Sequence, residues 1–232
     1  MKKIILLTVV LLFASTTLFA QKNFLLKEAS KNFDVKINIA SCEEDICEGE
    51  TIFYLSRKNQ KKPFQTIKMA NSYLELGENQ KPTANLIELY GMNNSGIIFD
   101  DYNFDGIEDL AIRNGNDGAY NGPSYDVFLF SKTKNRFVAN MPLTELASNN
   151  LGMFTVNKKT ETLETFTKSG CCWHQTARYK VVNNRPKKVY VFTEDAMGGG
   201  ENMKLITETL LPNGKWKKTT KSANTDGYYK DQ

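Results

Sequence analysis

Three aspartates and an asparagine packed into nine residues carry the most distinctive chemistry in this chain. Asp101, Asn103 and Asp105 set oxygen-bearing side chains at alternate positions, Gly106 follows, and Asp109 closes the group. Calcium takes six to eight hard oxygens in a flexible shell, and its loops need a glycine at the sixth position, where the backbone turns sharply. Counted from Asp101, Gly106 is that sixth residue. The Ile107 carbonyl is the next ligand, and Asp109, at the ninth position, binds directly or through water. Without a cation, carboxylates this close repel one another. The spacing therefore predicts one Ca2+ held by Asp101, Asn103, Asp105, Ile107 and Asp109, in a structural rather than a catalytic role. An EF-hand would add a bidentate glutamate at position twelve. Ile112 stands there instead, and the flanking runs at 97–99 and 110–112 look like buried strands, not helices. The loop is thus EF-hand-like in its ligands and β-flanked in its setting.

Two further stretches could make contacts. Residues 113–126 are long, polar and glycine-rich, and they hold Tyr120 and Tyr125. A loop anchored beside a rigid ion site suits recognition, and tyrosine offers a large contact area for little entropy loss. Ser169-Gly170-Cys171-Cys172-Trp173-His174 is the second stretch. Adjacent cysteines fit one tetrahedral metal poorly, so the expectation is a braced turn presenting Ser169, Gly170 and Trp173. The glycine-rich stretch 195–202 lacks the strand–loop–helix setting of a phosphate cradle, and no hydrolase or metalloprotease motif occurs. No catalytic residue is assigned, and the chain reads as a non-enzyme.

The elements that must position these residues are strands. Short β-rich runs recur from Val35 to the C-terminal region, separated by turns rich in Gly, Asn, Pro and Lys, the pattern of antiparallel all-β folds. Asn213-Gly214 between two such runs is a strong hairpin signal, and 157–160 and 183–186 are softer ones. Helix is expected only at 73–76 and 142–147, the second opened by Pro142 at a first-turn position. The fold class is all-β, with antiparallel sheets in a propeller-like or sandwich arrangement. One domain over 21–222 and a mobile tail over 223–232 are expected.

Residues 1–20 read as a signal peptide: Lys2 and Lys3, a short apolar run, then small residues ending at Ala20. The expected location is periplasmic or secreted, with no membrane span in the mature chain. Removing the two lysines lowers the formal charge from +4 to +2, too weak to argue for nucleic acid. Four cysteines in an exported chain point to disulfides. Cys42 with Cys47 is the favoured pairing, and closing so small a loop contributes ~2 kcal/mol or less. Cys171 and Cys172 then form a vicinal disulfide or stay reduced, with cross-pairing the other possibility.

Taken together, the export signal, the run Asp101 to Leu110, Gly122-Pro123-Ser124-Tyr125-Asp126-Val127-Phe128-Leu129-Phe130 and Ser169-Gly170-Cys171-Cys172 resemble a known family. It is the periplasmic immunity proteins that protect bacteria from lysozyme-like effectors of an antibacterial type IV secretion system. That family is similar to periplasmic inhibitors of invertebrate-type lysozyme. The resemblance implies a β-propeller-like fold, an EF-hand-like calcium site and a protein partner that is a muramidase. It also implies a Ser-Gly loop with a nearby tyrosine as the inhibitory element. Ser169 and Gly170 match its first part, whereas His174 stands where a tyrosine is expected. The calcium loop is also similar to those of FG-GAP repeats, which makes a calcium-stabilised surface or adhesion domain the alternative.

Overall fold

A computed structural model describes residues 21–88 and 94–230. The expected signal segment lies outside the described residues, as does the end of an expected strand at 86–90, whose described part, 86–88, is not strand. Three antiparallel sheets organise the described residues. The first holds β1 (Lys22–Leu26), β2 (Phe33–Glu43), β3 (Ile46–Arg57) and β4 (Gln65–Glu75) in sequential order. The second holds β5 (Ile97–Asp100), β6 (Asp109–Gly115), β7 (Ser124–Ser131) and β8 (Arg136–Ala139). After α1 (Met141–Ser148), the third sheet runs from β9 (Thr155–Asn157) through β10 (Thr162–Ser169), β11 (Trp173–Val182), β12 (Arg185–Asp195) and β13 (Asn202–Leu210) to β14 (Trp216–Asn224). The all-β expectation holds, and the stacking is the sandwich-like one of the two arrangements considered.

The second sheet is the middle layer. Its strands are apolar at consecutive positions because both faces are covered. Ile97, Phe99, Leu110 and Ile112 pack toward the first sheet. Ile98 and Ala111, on the opposite face, join Tyr125, Val127 and Leu129 against α1 and the start of the third sheet. Between the first two sheets, the Phe33 ring lies 5.0 Å from Phe137 and 5.5 Å from Phe130. The Arg57 guanidinium stands 4.9 Å from the Phe130 ring, so its charge rests on aromatic faces. In α1 the Asn140 side chain accepts from Leu143 N at 3.0 Å, a conventional N-cap. Leu143, Leu146 and Ala147 fill the second core.

The helix expected at 73–76 is instead the end of β4. Tyr73, Leu74 and Glu75 pair with Glu48, Cys47 and Ile46, and alternate burial of Ser72 and Leu74 sets a period of two that overrides local helix propensity. Where a loose tail was expected, β14 continues to Asn224 and Thr225–Lys230 form a short helix, α2. The Asn213-Gly214 hairpin joins β13 to β14, with Gly214 at φ +79°. Asn183 and Asn184 both take positive φ, the type I′ geometry that suits the twist of the β11–β12 hairpin. β14 closes the third sheet and is exposed at every position except Ala223.

Candidate metal loop and contact tip

Residues 101–108 connect β5 to β6 at one end of the middle sheet, so the loop hangs from two strands buried on both faces. Phe104 (φ +60°) and Gly106 (φ +85°) curl the chain. A Cβ at Gly106 would meet nothing within 4 Å, so the backbone angle, not lack of space, calls for glycine there. The curl turns the acidic side chains inward. Asp101 accepts from Asp105 N at 3.0 Å and from Gly106 N at 2.8 Å. Asn103 accepts from Asp105 N at 3.2 Å, and Asp105 from Ile107 N at 3.0 Å.

Asp109 is fully buried. One carboxylate oxygen accepts from Tyr102 N at 2.9 Å and the other from Phe130 N at 2.8 Å. Burial pushes its pKa up to about 7, against the lowering effect of those two N–H groups; Asp105 and Asp101 add to the rise. Tyr102, also buried, donates to Ile98 O at 3.0 Å and meets Phe154 edge-on. Burial, then the Asp109 charge, raises its pKa well above the ordinary tyrosine value.

Around the loop stand residues the sequence did not single out. Glu108 accepts from Ser30 Oγ at 2.8 Å, from Asn32 Nδ2 at 2.9 Å and from the backbone N of Lys31 and Asn32, fastening the loop to the first sheet. Asn103 Nδ2 donates to Asn184 Oδ1 at 3.2 Å, reaching the β11–β12 turn of the third sheet. Lys158 pairs with Asp100 at 3.0 Å, and Lys132 donates to Asp105 O at 3.0 Å. The loop therefore touches all three sheets. Its partners lie up to 81 positions away, and no local pattern marks them.

Among the described residues no three His, Cys, Asp or Glu side chains converge as a finished metal cage. The donor set is still the kind a hard cation takes: side-chain and carbonyl oxygens, with no nitrogen or sulfur. Each carboxylate oxygen has two lone pairs, so accepting an N–H leaves a second free for ligation. Asp101, Asn103, Asp105, the Ile107 carbonyl and Asp109 thus fit calcium chemically. Asp100 and Glu108 are engaged elsewhere.

The residues expected to contact a partner divide into two groups. Tyr125 does not belong to a contact surface: it is fully buried and donates to Ser95 O at 2.9 Å, a core residue of β7. Burial raises its pKa above the usual range. Tyr120, in contrast, is 53% exposed at the apex of a tight 3-10 turn, Ala119–Asn121. Gly118 and Gly122 shape that turn, since a Cβ at Gly118 would lie 2.8 Å from Gly122 O. Tyr120 Oη accepts a hydrogen bond from Gly170 N at 2.8 Å, and Lys168 Nζ stands 5.2 Å over its ring. Ser169, Gly170 and Cys171 are exposed in the β10–β11 turn, and Trp173 is half-buried opposite Ser169. Cys171 and Cys172 form a vicinal disulfide within this turn, and Cys42 and Cys47 form the other, in the β2–β3 hairpin. His174 is half-buried against Phe166, with ring centroids 5.8 Å apart.

This architecture has a solved counterpart. A Xanthomonas protein, described as related to a type IV secretion system, is similar with a TM-score of 0.67 and 26% identity. The similarity covers 87% of this chain and 98% of that one. No family model and no curated protein matches. The likeness spans all three sheets rather than the 101–109 loop alone, and it fits the type IV secretion association that the sequence motifs suggested.

Proposed function

We propose that this chain is an exported, non-catalytic module that inhibits a lysozyme-like peptidoglycan hydrolase, with a calcium ion bracing the 101–109 loop. One observation carries the reading: the hydrogen bond from Gly170 N to Tyr120 Oη. A Ser-Gly turn with a nearby tyrosine is what the resemblance calls for. The tyrosine comes from 50 positions upstream instead of from position 174.

A muramidase cleft is flanked by two carboxyl groups set only a few ångströms apart. A narrow tip with a serine hydroxyl and a side-chain-free glycine suits such a cleft, because the hydroxyl can donate to a carboxylate and the glycine lets the backbone approach closely. The vicinal disulfide restricts the turn before binding, and preorganisation lowers the entropy lost on association. Calcium, where bound, would supply the positive charge that the clustered carboxylates need. Asp101, Asn103, Asp105, the Ile107 carbonyl and Asp109 would hold it, while Glu108 and Asn103 tie the braced loop to the outer sheets. Two disulfides and the likeness to a secretion-related protein support export. Among the described residues no helix is long and apolar enough to cross a membrane.

The test is inhibition of cell-wall lysis by a panel of muramidases, including those that competing bacteria deliver. The protein is expected to slow at least one of them, and Tyr120→Ala and Ser169→Asp to abolish the effect while leaving the melting temperature unchanged. Undiminished lysis by every muramidase, at inhibitor in large excess, would overturn the proposal.

A further inference from the structure

A polar cleft of about 470 Å³ opens between the β2–β3 hairpin, β4 and the β6–β7 connection. Its wall includes Glu48, Asn71, Ser72, Asn114 and Asp117. Asn114 is committed, donating to Asp126 at 3.1 Å and accepting from Ser124 at 2.6 Å. Glu48 and Asp117 make their contacts here through the backbone: Glu48 O accepts from Ser41 Oγ at 3.3 Å, and Asp117 N donates to Ser124 Oγ at 3.2 Å. Ser72 is the decisive residue. It is 2% exposed, it lines this cleft, and its hydroxyl has no hydrogen-bond partner. A buried hydroxyl left unpaired destabilises the fold that carries it, so it calls for an explanation.

The chemistry of the lining selects the ligand. Two carboxylates, a serine oxygen and an amide oxygen make it rich in acceptors. The neighbouring cation, Arg113, is fully occupied: it pairs with Glu75 at 3.1 Å, donates to Asn116, and lies 4.0 Å over the Tyr73 ring. A guanidinium has five N–H donors and no acceptor, and its planar fork matches carboxylates. The segment 114–121 joins this cleft to Tyr120, so both lie along the one stretch of chain that links β6 to β7.

We propose that the cleft between Glu48, Ser72 and Asp117 is a second contact of the inhibitory surface and receives an arginine side chain of the muramidase. The proposal rests on the inhibitor reading for the identity of the partner, but the cleft's affinity for a guanidinium does not. The experiment is a 1H–15N NMR titration of the purified protein with N-acetyl-arginine amide. Amide shifts are expected at Gly49, Ser72 and Asp117, with a smaller response to the lysine analogue and none to the norleucine analogue. Glu48→Gln with Asp117→Asn is expected to weaken the response by about tenfold, the scale of losing charge-assisted hydrogen bonds. Ser72→Ala should raise the melting temperature yet weaken arginine binding, a pairing that a purely structural serine does not produce. Tyr120→Ala should leave the titration intact, so the tip and the cleft are read separately. No shift, an equal shift with norleucine, or a response to calcium chloride alone at these residues overturns the proposal. An arginine response in the unaltered protein with no muramidase inhibited by it overturns the inhibitor reading instead.

Discussion

The 101–109 loop and the Tyr120–Gly170 tip both join strands, both hold residues with positive φ, and both display polar groups, yet they are built for opposite ends. In the first, acidic side chains turn inward onto their own backbone, and the loop is fastened to three sheets through Glu108, Asp109 and Asn103. In the second, glycines and a disulfide hold the backbone while the side chains of Tyr120 and Ser169 are left exposed. The difference lies in what the side chains reach. Those of the loop tie three sheets together, and those of the tip leave a surface open to solvent.

Three measurements would break or sharpen that contrast. The largest effect is expected from Asp109→Ala. It leaves the N–H groups of Tyr102 and Phe130 without acceptors in a buried setting, at about 1–3 kcal/mol each. Urea unfolding without calcium should show a loss of several kcal/mol, and a change below 1 kcal/mol would mean that the loop is not a joint. Next comes calcium itself. At a hundred times its dissociation constant it should stabilise the protein by about 2.7 kcal/mol. Asp105→Ala should remove that gain in a thermal melt while altering the calcium-free protein little, because Asp105 is exposed. The smallest effect is expected from Tyr120→Phe. Loss of one exposed hydrogen bond should change stability by no more than about 0.5 kcal/mol, while inhibition falls. A large drop in stability would make the tip a joint as well.

Much of the middle layer was legible in the sequence. Consecutive apolar residues at 97–99 and 110–112 announced strands buried on both faces, and the alternating oxygens between them announced the loop. Tyr125 was legible too, but the polar character of 113–126 obscured it. Two-residue spacing puts it on one face with Val127 and Leu129, and that face is core. Leu74, enclosed in β4, carried a similar period-two signal. The remainder was not local. Glu108 reaching Ser30, and Gly170 reaching Tyr120, are contacts between chain segments 78 and 50 positions apart. No window of sequence encodes such pairs, because the stacking of sheets creates them.

β14 leaves the third sheet with one long side open to water. An unpaired strand margin offers a row of N–H and C=O groups on which another chain can template itself, the first step toward fibrous self-association. Lys217, Lys218 and Lys221 interrupt this one, and Lys218 also reaches Glu208 across the ladder at 3.6 Å. Two molecules approaching margin to margin would bring like charges into register before the first inter-chain bond could form. The lysine run near the C-terminus thus opposes pairing of this strand margin with another.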